Sequence, residues 1–181
     1  MKYKIAGCIA VAIMAATGFA SISAAADMEA CDIVTTSDVN AQFAPRVFVI
    51  DKSGPKAPKL PAKYAQVSNC TFVSKGSSVR DMVVVTVTLR RAPSNETGTT
   101  VKMMKDGAVQ LGATPVDVAG LGDSAYWVSL GGRALKRPNR QLNVAKGTRI
   151  WLIFGTSEPK ISDDEAVARL TKIAQAALGK I

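Results

Sequence analysis

Apolar and polar positions change period several times along the chain, and each change marks an element. From 81 to 91 (DMVVVTVTLRR) they alternate: Val83, Val85, Val87 and Leu89 share one face, while Thr86, Thr88 and Arg90 share the other with Met82 and Val84. A period of two marks a strand with one core face. Residues 66–74 (QVSNCTFVS) alternate in the same way, with Cys70 and Phe72 on one side. Lys75-Gly76-Ser77-Ser78 between the two runs is turn chemistry, so together they predict a hairpin. Shorter apolar runs at 46–50, 115–119, 125–130, 140–145 and 148–154 predict further strands. Lys146-Gly147 forms a tight turn between the last two.

Three stretches carry a helical period instead. Thr35-Thr36-Ser37-Asp38 has the form of a capping box, Val39 and Phe43 follow four apart, and Pro45 stops the helix. Residues 94–111 space Val101, Met104, Ala108 and Leu111 on one face and end at Gly112, although Gly98 and Gly107 weaken the helix. Residues 162–178 give the clearest pattern. Ser162 and Glu165 predict a second capping box, and Val167, Leu170, Ile173, Ala174, Ala177 and Leu178 predict the buried face. Strands come in hairpin-linked groups between helices. The expected fold is therefore α+β: a mostly antiparallel sheet with about three helices packed on one face.

The N-terminus stands apart. Lys2 and Lys4 precede an apolar, small-residue stretch, and Ser23-Ala24-Ala25-Ala26 offers a cleavage site. Residues 1–26 read as a secretory signal peptide, with an uncleaved anchor as the alternative, and 27–181 as a single domain. Ile5-Ala6-Gly7-Cys8 looks like a lipoprotein processing box, but the apolar stretch lies after it rather than before it, so Cys8 reads as part of the leader. The expected compartment is the periplasm, or the exterior, reached by Gram-negative-type export. Cys31 and Cys70 alone remain beyond the leader, and two cysteines in an oxidising compartment predict one disulfide bond.

Charge adds a partner class. The chain carries a formal +9, of which the leader lysines supply two, leaving +7. A basic exported protein favours anionic partners: lipid head groups, acidic glycans or acidic proteins, with nucleic acid disfavoured outside the cytoplasm. The cations concentrate in two segments. GGRALKRPNR (131–140) holds Arg133, Lys136, Arg137 and Arg140 between two predicted strands. DKSGPKAPKLPAK (51–63) holds Lys52, Lys56, Lys59 and Lys63 among three prolines. Arginines there would give forked hydrogen bonds to phosphate or carboxylate. The same charges also suit plain solvated loops that blunt sheet edges. Trp127 and Trp151 predict either core packing or an apolar ligand face. If Tyr126, Val128, Ile150, Leu152 and Phe154 face the helices, both tryptophans share the other side of the sheet.

Several chemistries drop out. The chain has no histidine, which removes a Ser-His-Asp triad, histidine acid–base work and histidine-bound metals. Gly120, Gly122 and Ala125 spell G-x-G-x-x-A, but a strand pattern follows where a dinucleotide site needs a helix, and residue 143 is Asn where an acid is wanted. Ser157-Glu158-Pro159-Lys160 and Ser53-Gly54-Pro55-Lys56 match S-x-x-K, but each holds a proline against the helical turn that chemistry needs. Asp163, Asp164 and Glu165 complement the dipole of the last helix and do not form a catalytic pair. No cofactor and no metal are expected.

A-C-D-I-V-T-T-S-D-V (30–39), N-C-T-F (69–72), G-L-G-D-S-A-Y-W (120–127) and L-N-V-A-K-G (142–147) together resemble a group of small exported bacterial proteins that includes actinobacterial lipoproteins. The resemblance implies a compact α+β domain, PsbP-like, with one disulfide and no enzymatic activity. The chain departs from the lipoprotein members in lacking a lipobox, so their anchoring does not carry over. The expected function is a non-enzymatic binding or interaction protein. It would engage an anionic envelope component through Arg133, Lys136, Arg137, Arg140, Lys56 and Lys59, with peripheral membrane contact. The alternatives are a carrier of an apolar ligand or lipid on the Trp127/Trp151 face, and a carboxylate- or lysine-dependent enzyme.

Overall fold

The computed structural model describes residues 28–53, 60–76, 81–130 and 139–181. Two short helices, α1 (Ala30–Ile33) and α2 (Thr36–Phe43), open the domain. Thr35 caps α2 as expected: its hydroxyl accepts the Asp38 N–H, and the Asp38 carboxylate takes the Thr35 N–H at 2.8 Å. There follow β1 (Phe48–Ile50), β2 (Gln66–Ser74), β3 (Val84–Arg91), α3 (Thr97–Gln110), β4 (Val116–Asp117), β5 (Ser124–Leu130), β6 (Asn139–Lys146), β7 (Ile150–Thr156) and α4 (Asp163–Leu178).

All seven strands join one antiparallel sheet, ordered β1-β2-β3-β7-β6-β5-β4. The long connection from β3 through α3 places β7 at the centre, between the two hairpin groups. Alternation then fixes two faces. One carries Cys70, Phe72, Val85, Val87, Leu89, Leu142, Val144, Leu152, Phe154 and Trp127, and α1, α2 and α4 pack on it to form the main core. The sequence predicts three helices on one face but counts 94–111 among them; in the structure α1 stands in its place. The fourth, α3, lies on the reverse, where Ala108 meets Tyr126 and Val128. Cys31 of α1 is bonded to Cys70 of β2, tying the first helix to the sheet. No helix among the described residues is long and apolar enough to cross a membrane.

Three further expectations need correction. The predicted inner face of α3 is only half realised: Thr97, Thr100 and Ala108 are buried, while Met104 and Leu111 are 38% and 77% exposed. Few of its apolar side chains reach the sheet, so spacing alone overstated its contact. The second capping box is one-sided. Ser162 Oγ accepts the Glu165 N–H at 3.1 Å, but the Glu165 carboxylate turns outward to Arg169. Finally, the two tryptophans do not share a face. Trp127 pairs with Leu142 and enters the main core, whereas Trp151 pairs with Arg90 and Ala145 on the reverse.

The G-L-G-D-S-A-Y-W segment leads the chain into β5. Gly120 and Gly122 take positive φ of 72° and 59°. At Gly122 a Cβ would stand 2.4 Å from the Ala145 carbonyl oxygen, so only glycine lets this backbone lie against β6. Leu121 is buried in the core, the Asp123 N–H donates to that same Ala145 oxygen, and the Asp123 carboxylate accepts the Gly147 N–H. The motif is a splint across the β6–β7 turn.

Candidate functional site

The feature with the dimensions of a ligand site is a cleft of about 840 Å³ between α4 and the β4–β5 edge of the sheet. It forms because β4 has only two residues and α4 lies over β6 and β7, leaving the outermost strands uncovered on that face. Trp127 forms the floor, Val116 and Val118 the strand wall, and Val167 and Ala168 the helix wall. Val116 is opposite Trp127 in register and is 54% exposed.

Polar groups ring this apolar lining. Asp117 on β4 is ion-paired with Lys105, which reaches round from α3. Asp163 at the start of α4 takes the Arg140 Nε–H at 2.6 Å. Asp164 and Lys172, eight residues apart on α4, also border the cleft, and among the described residues neither makes an ion pair. Counting Lys105 and Arg140 with the carboxylates they neutralise, the rim is close to electrically even. Selection there must come mainly from shape and apolar contact.

One end of the cleft is braced by a buried polar chain. Arg140 donates from Nη1 to the Glu158 carbonyl at 2.6 Å. The Glu158 carboxylate, almost wholly buried, is held by Arg46 Nε at 2.7 Å and by the Lys160 N–H at 3.1 Å. Arg140 is thus turned inward and only 8% exposed, its guanidinium occupied by the protein itself. Of the six predicted contact residues it is the one that can be placed. Arg133, Lys136, Arg137, Lys56 and Lys59 lie outside the described residues. Lys63 is exposed, its Nζ 5.2 Å from the Tyr64 ring.

On the reverse face the Asn143 amide and Trp151 Nε1 are buried without a hydrogen-bond partner among the described residues. Burial there also pushes the Tyr126 hydroxyl up to about 12, and Lys105 Nζ lies 5.3 Å from the Tyr126 ring. In α2, burial by itself would raise the Asp38 carboxyl. Hydrogen bonds from the Thr35 N–H and hydroxyl, with Lys180, outweigh it and hold Asp38 below its ordinary 3.8. Among the described residues no group of three or more Cys, Asp or Glu could hold a metal ion.

The cleft walls were not legible as a site in the sequence. Val167 reads there as core, and Val116 and Val118 as an ordinary strand. What makes them a wall is the contact between elements some fifty residues apart. No protein-family model, curated protein or solved structure matches the chain. The resemblance to exported lipoprotein-like proteins therefore rests on its motifs alone, and the PsbP-like comparison has no solved structure behind it.

Proposed function

We propose that the chain is an exported, non-enzymatic binding protein that takes the apolar part of a small amphiphilic ligand into the cleft between α4 and β4–β5. The cleft itself carries the reading: its volume suits a drug-sized molecule, and its lining is apolar with polar groups at the rim. This keeps the carrier alternative but narrows it to Trp127, since Trp151 faces the other way. Gentle extraction of the exported chain followed by native mass spectrometry tests it. A co-purified adduct is expected, and it should be lost in Ala168→Arg, which places a long side chain across the helix wall without touching the core. An adduct retained by that variant would remove the cleft from consideration.

A second reading is favoured by the formal +7 that remains beyond the leader: engagement of an anionic envelope component or acidic protein through the basic segments. With Arg140 committed internally, Arg133, Lys136 and Arg137 remain as its candidates in 131–138, and Lys56 and Lys59 in 51–63. Retention on an anionic polysaccharide column should fall steeply with salt and fall further when these five are replaced by Ser. Salt-independent passage of the unaltered protein would dismiss it.

A further inference from the structure

Nine large apolar side chains are well exposed among the described residues, and three of them, Leu60, Tyr64 and Val67, lie within eight positions at the start of β2. They are 46%, 51% and 41% exposed. The turn that carries them is well tied. Gln66 Nε2 lies within hydrogen-bonding distance of the carbonyl oxygens of Leu60, Pro61 and Tyr64 at 3.0, 3.3 and 3.1 Å, and the Tyr64 N–H donates to Pro61 at 2.9 Å. One amide thus draws three carbonyls together and holds the apolar side chains out in water.

Cations surround this patch. Lys63 sits against the Tyr64 ring. In register, Val67 faces Arg90 on the reverse side of the sheet, whereas Gln66 faces Arg91 on the helix-covered side; exposed Arg149 precedes Ile150, the partner of Arg91. Arg149 Nε donates to the Ala92 carbonyl at 2.8 Å, which fixes it at this end of the sheet. The nearby acid on this side is Glu96, paired with Arg90 at 2.7 Å. Glu29, which caps α1, and Asp32 within it lie on the helix-covered face, the side of Gln66 and Arg91, where the Ala30 N–H meets Ser68 Oγ. The exposed apolar residues of α3 differ: beside Met103, Lys102 and Asp106 cancel each other.

An aromatic and two aliphatic side chains ringed by lysine and arginine is the composition that partitions to a charged bilayer interface. The rings and aliphatic groups enter the head-group boundary, and the cations reach the phosphates. We propose that the end of the sheet formed by residues 60–67, Arg90 and Arg149 is a peripheral docking surface for an anionic phospholipid bilayer. This rests on the charge argument of the second reading above, gives it a partner and a different site, and does not depend on what fills the α4 cleft.

The test is co-sedimentation of the full exported chain with vesicles of phosphatidylglycerol and phosphatidylethanolamine, and with phosphatidylcholine alone, at low and high salt. Binding to the anionic vesicles should exceed that to the neutral ones by at least tenfold and weaken with salt. Leu60→Ser with Tyr64→Ser should lower it at least fivefold at unchanged thermal stability, because both side chains are exposed. Gln66→Ala, which frees the turn, should lower it less. Arg149→Ser should flatten the salt dependence. Undiminished binding by the double variant would overturn this site. Binding to the anionic polysaccharide column without vesicle binding would overturn the bilayer and leave the second reading standing. Absence from both supports would end the two together.

Discussion

The Arg140 guanidinium and the Asp163 carboxylate meet at 2.6 Å across the join between β6 and α4. A residue whose sequence context suggests an outward grip on an acidic partner is instead an internal tie. It bonds the first turn of the last helix to the sheet and, through the Glu158 carbonyl, to the loop between them.

Removing that tie should cost stability. Arg140→Ala leaves Asp163 and the Glu158 carbonyl without their donor, and a loss of about 2–3 kcal/mol is expected, below the full cost of breaking a buried pair because Asp163 is half exposed. Asp163→Asn should cost under about 1 kcal/mol. Urea midpoints measure both. A neutral Arg140→Ala would mean that the guanidinium is dispensable to the fold.

The two glycines of the β5 lead-in should respond unequally. Gly120→Ala meets only the positive φ and should cost about 1 kcal/mol. Gly122→Ala adds a collision with the Ala145 oxygen and should cost about 3 kcal/mol or more. Equal melting temperatures for the two variants would contradict the close approach.

The Cys31–Cys70 bond closes a separation of 39 residues. Chain-entropy reasoning puts its stabilisation at about 4 kcal/mol. The Cys31→Ser, Cys70→Ser double variant should therefore melt far below the oxidised protein, and reduction of the unaltered protein should reproduce the shift. Insensitivity to reductant would count against this account.

Alkaline pH tests the reverse face. The native state holds the Tyr126 proton up to about 12, whereas the unfolded chain releases it near 10.0. The unfolded chain therefore binds fewer protons between these values, and stability falls as pH rises through that window while remaining unaffected below it. Tyr126→Phe should lose less stability than the unaltered protein from pH 10 to 12, by about 2 kcal/mol at 1.36 kcal/mol per pH unit. Parallel curves for the two proteins would place the hydroxyl in water.

Local chemistry was well read from the sequence wherever it decides itself within a few residues. The β2 strand begins at Gln66 and ends at Ser74 as its alternation requires, because a period of two leaves no other way to bury Cys70 and Phe72 together. Thr35 caps α2 because its hydroxyl and the Asp38 carboxylate are three residues apart, within mutual reach once the turn forms. The faces of β5 and β7 were harder. Both Tyr126 and Trp127 are apolar enough to be core, so the pattern does not say which points at α4. The register with Leu142 puts Trp127 there and sends Trp151 to the other side.

The same division separates the candidate surfaces. Net charge, the missing histidines and the paired cysteines are properties of composition, and any fold of this chain inherits them. Whether a given arginine faces solvent is not such a property. Arg140 turns inward because α4 brings Asp163 to it, and Leu60 and Tyr64 turn outward because Gln66 ties three carbonyls together beneath them. By itself the sequence determined an antiparallel α+β domain with one disulfide, since periodicity and cysteine pairing act through local geometry and chain connectivity. Only the tertiary structure decided which side chains form the cleft and the exposed end of the sheet, since those surfaces arise where distant elements meet or fail to cover one another.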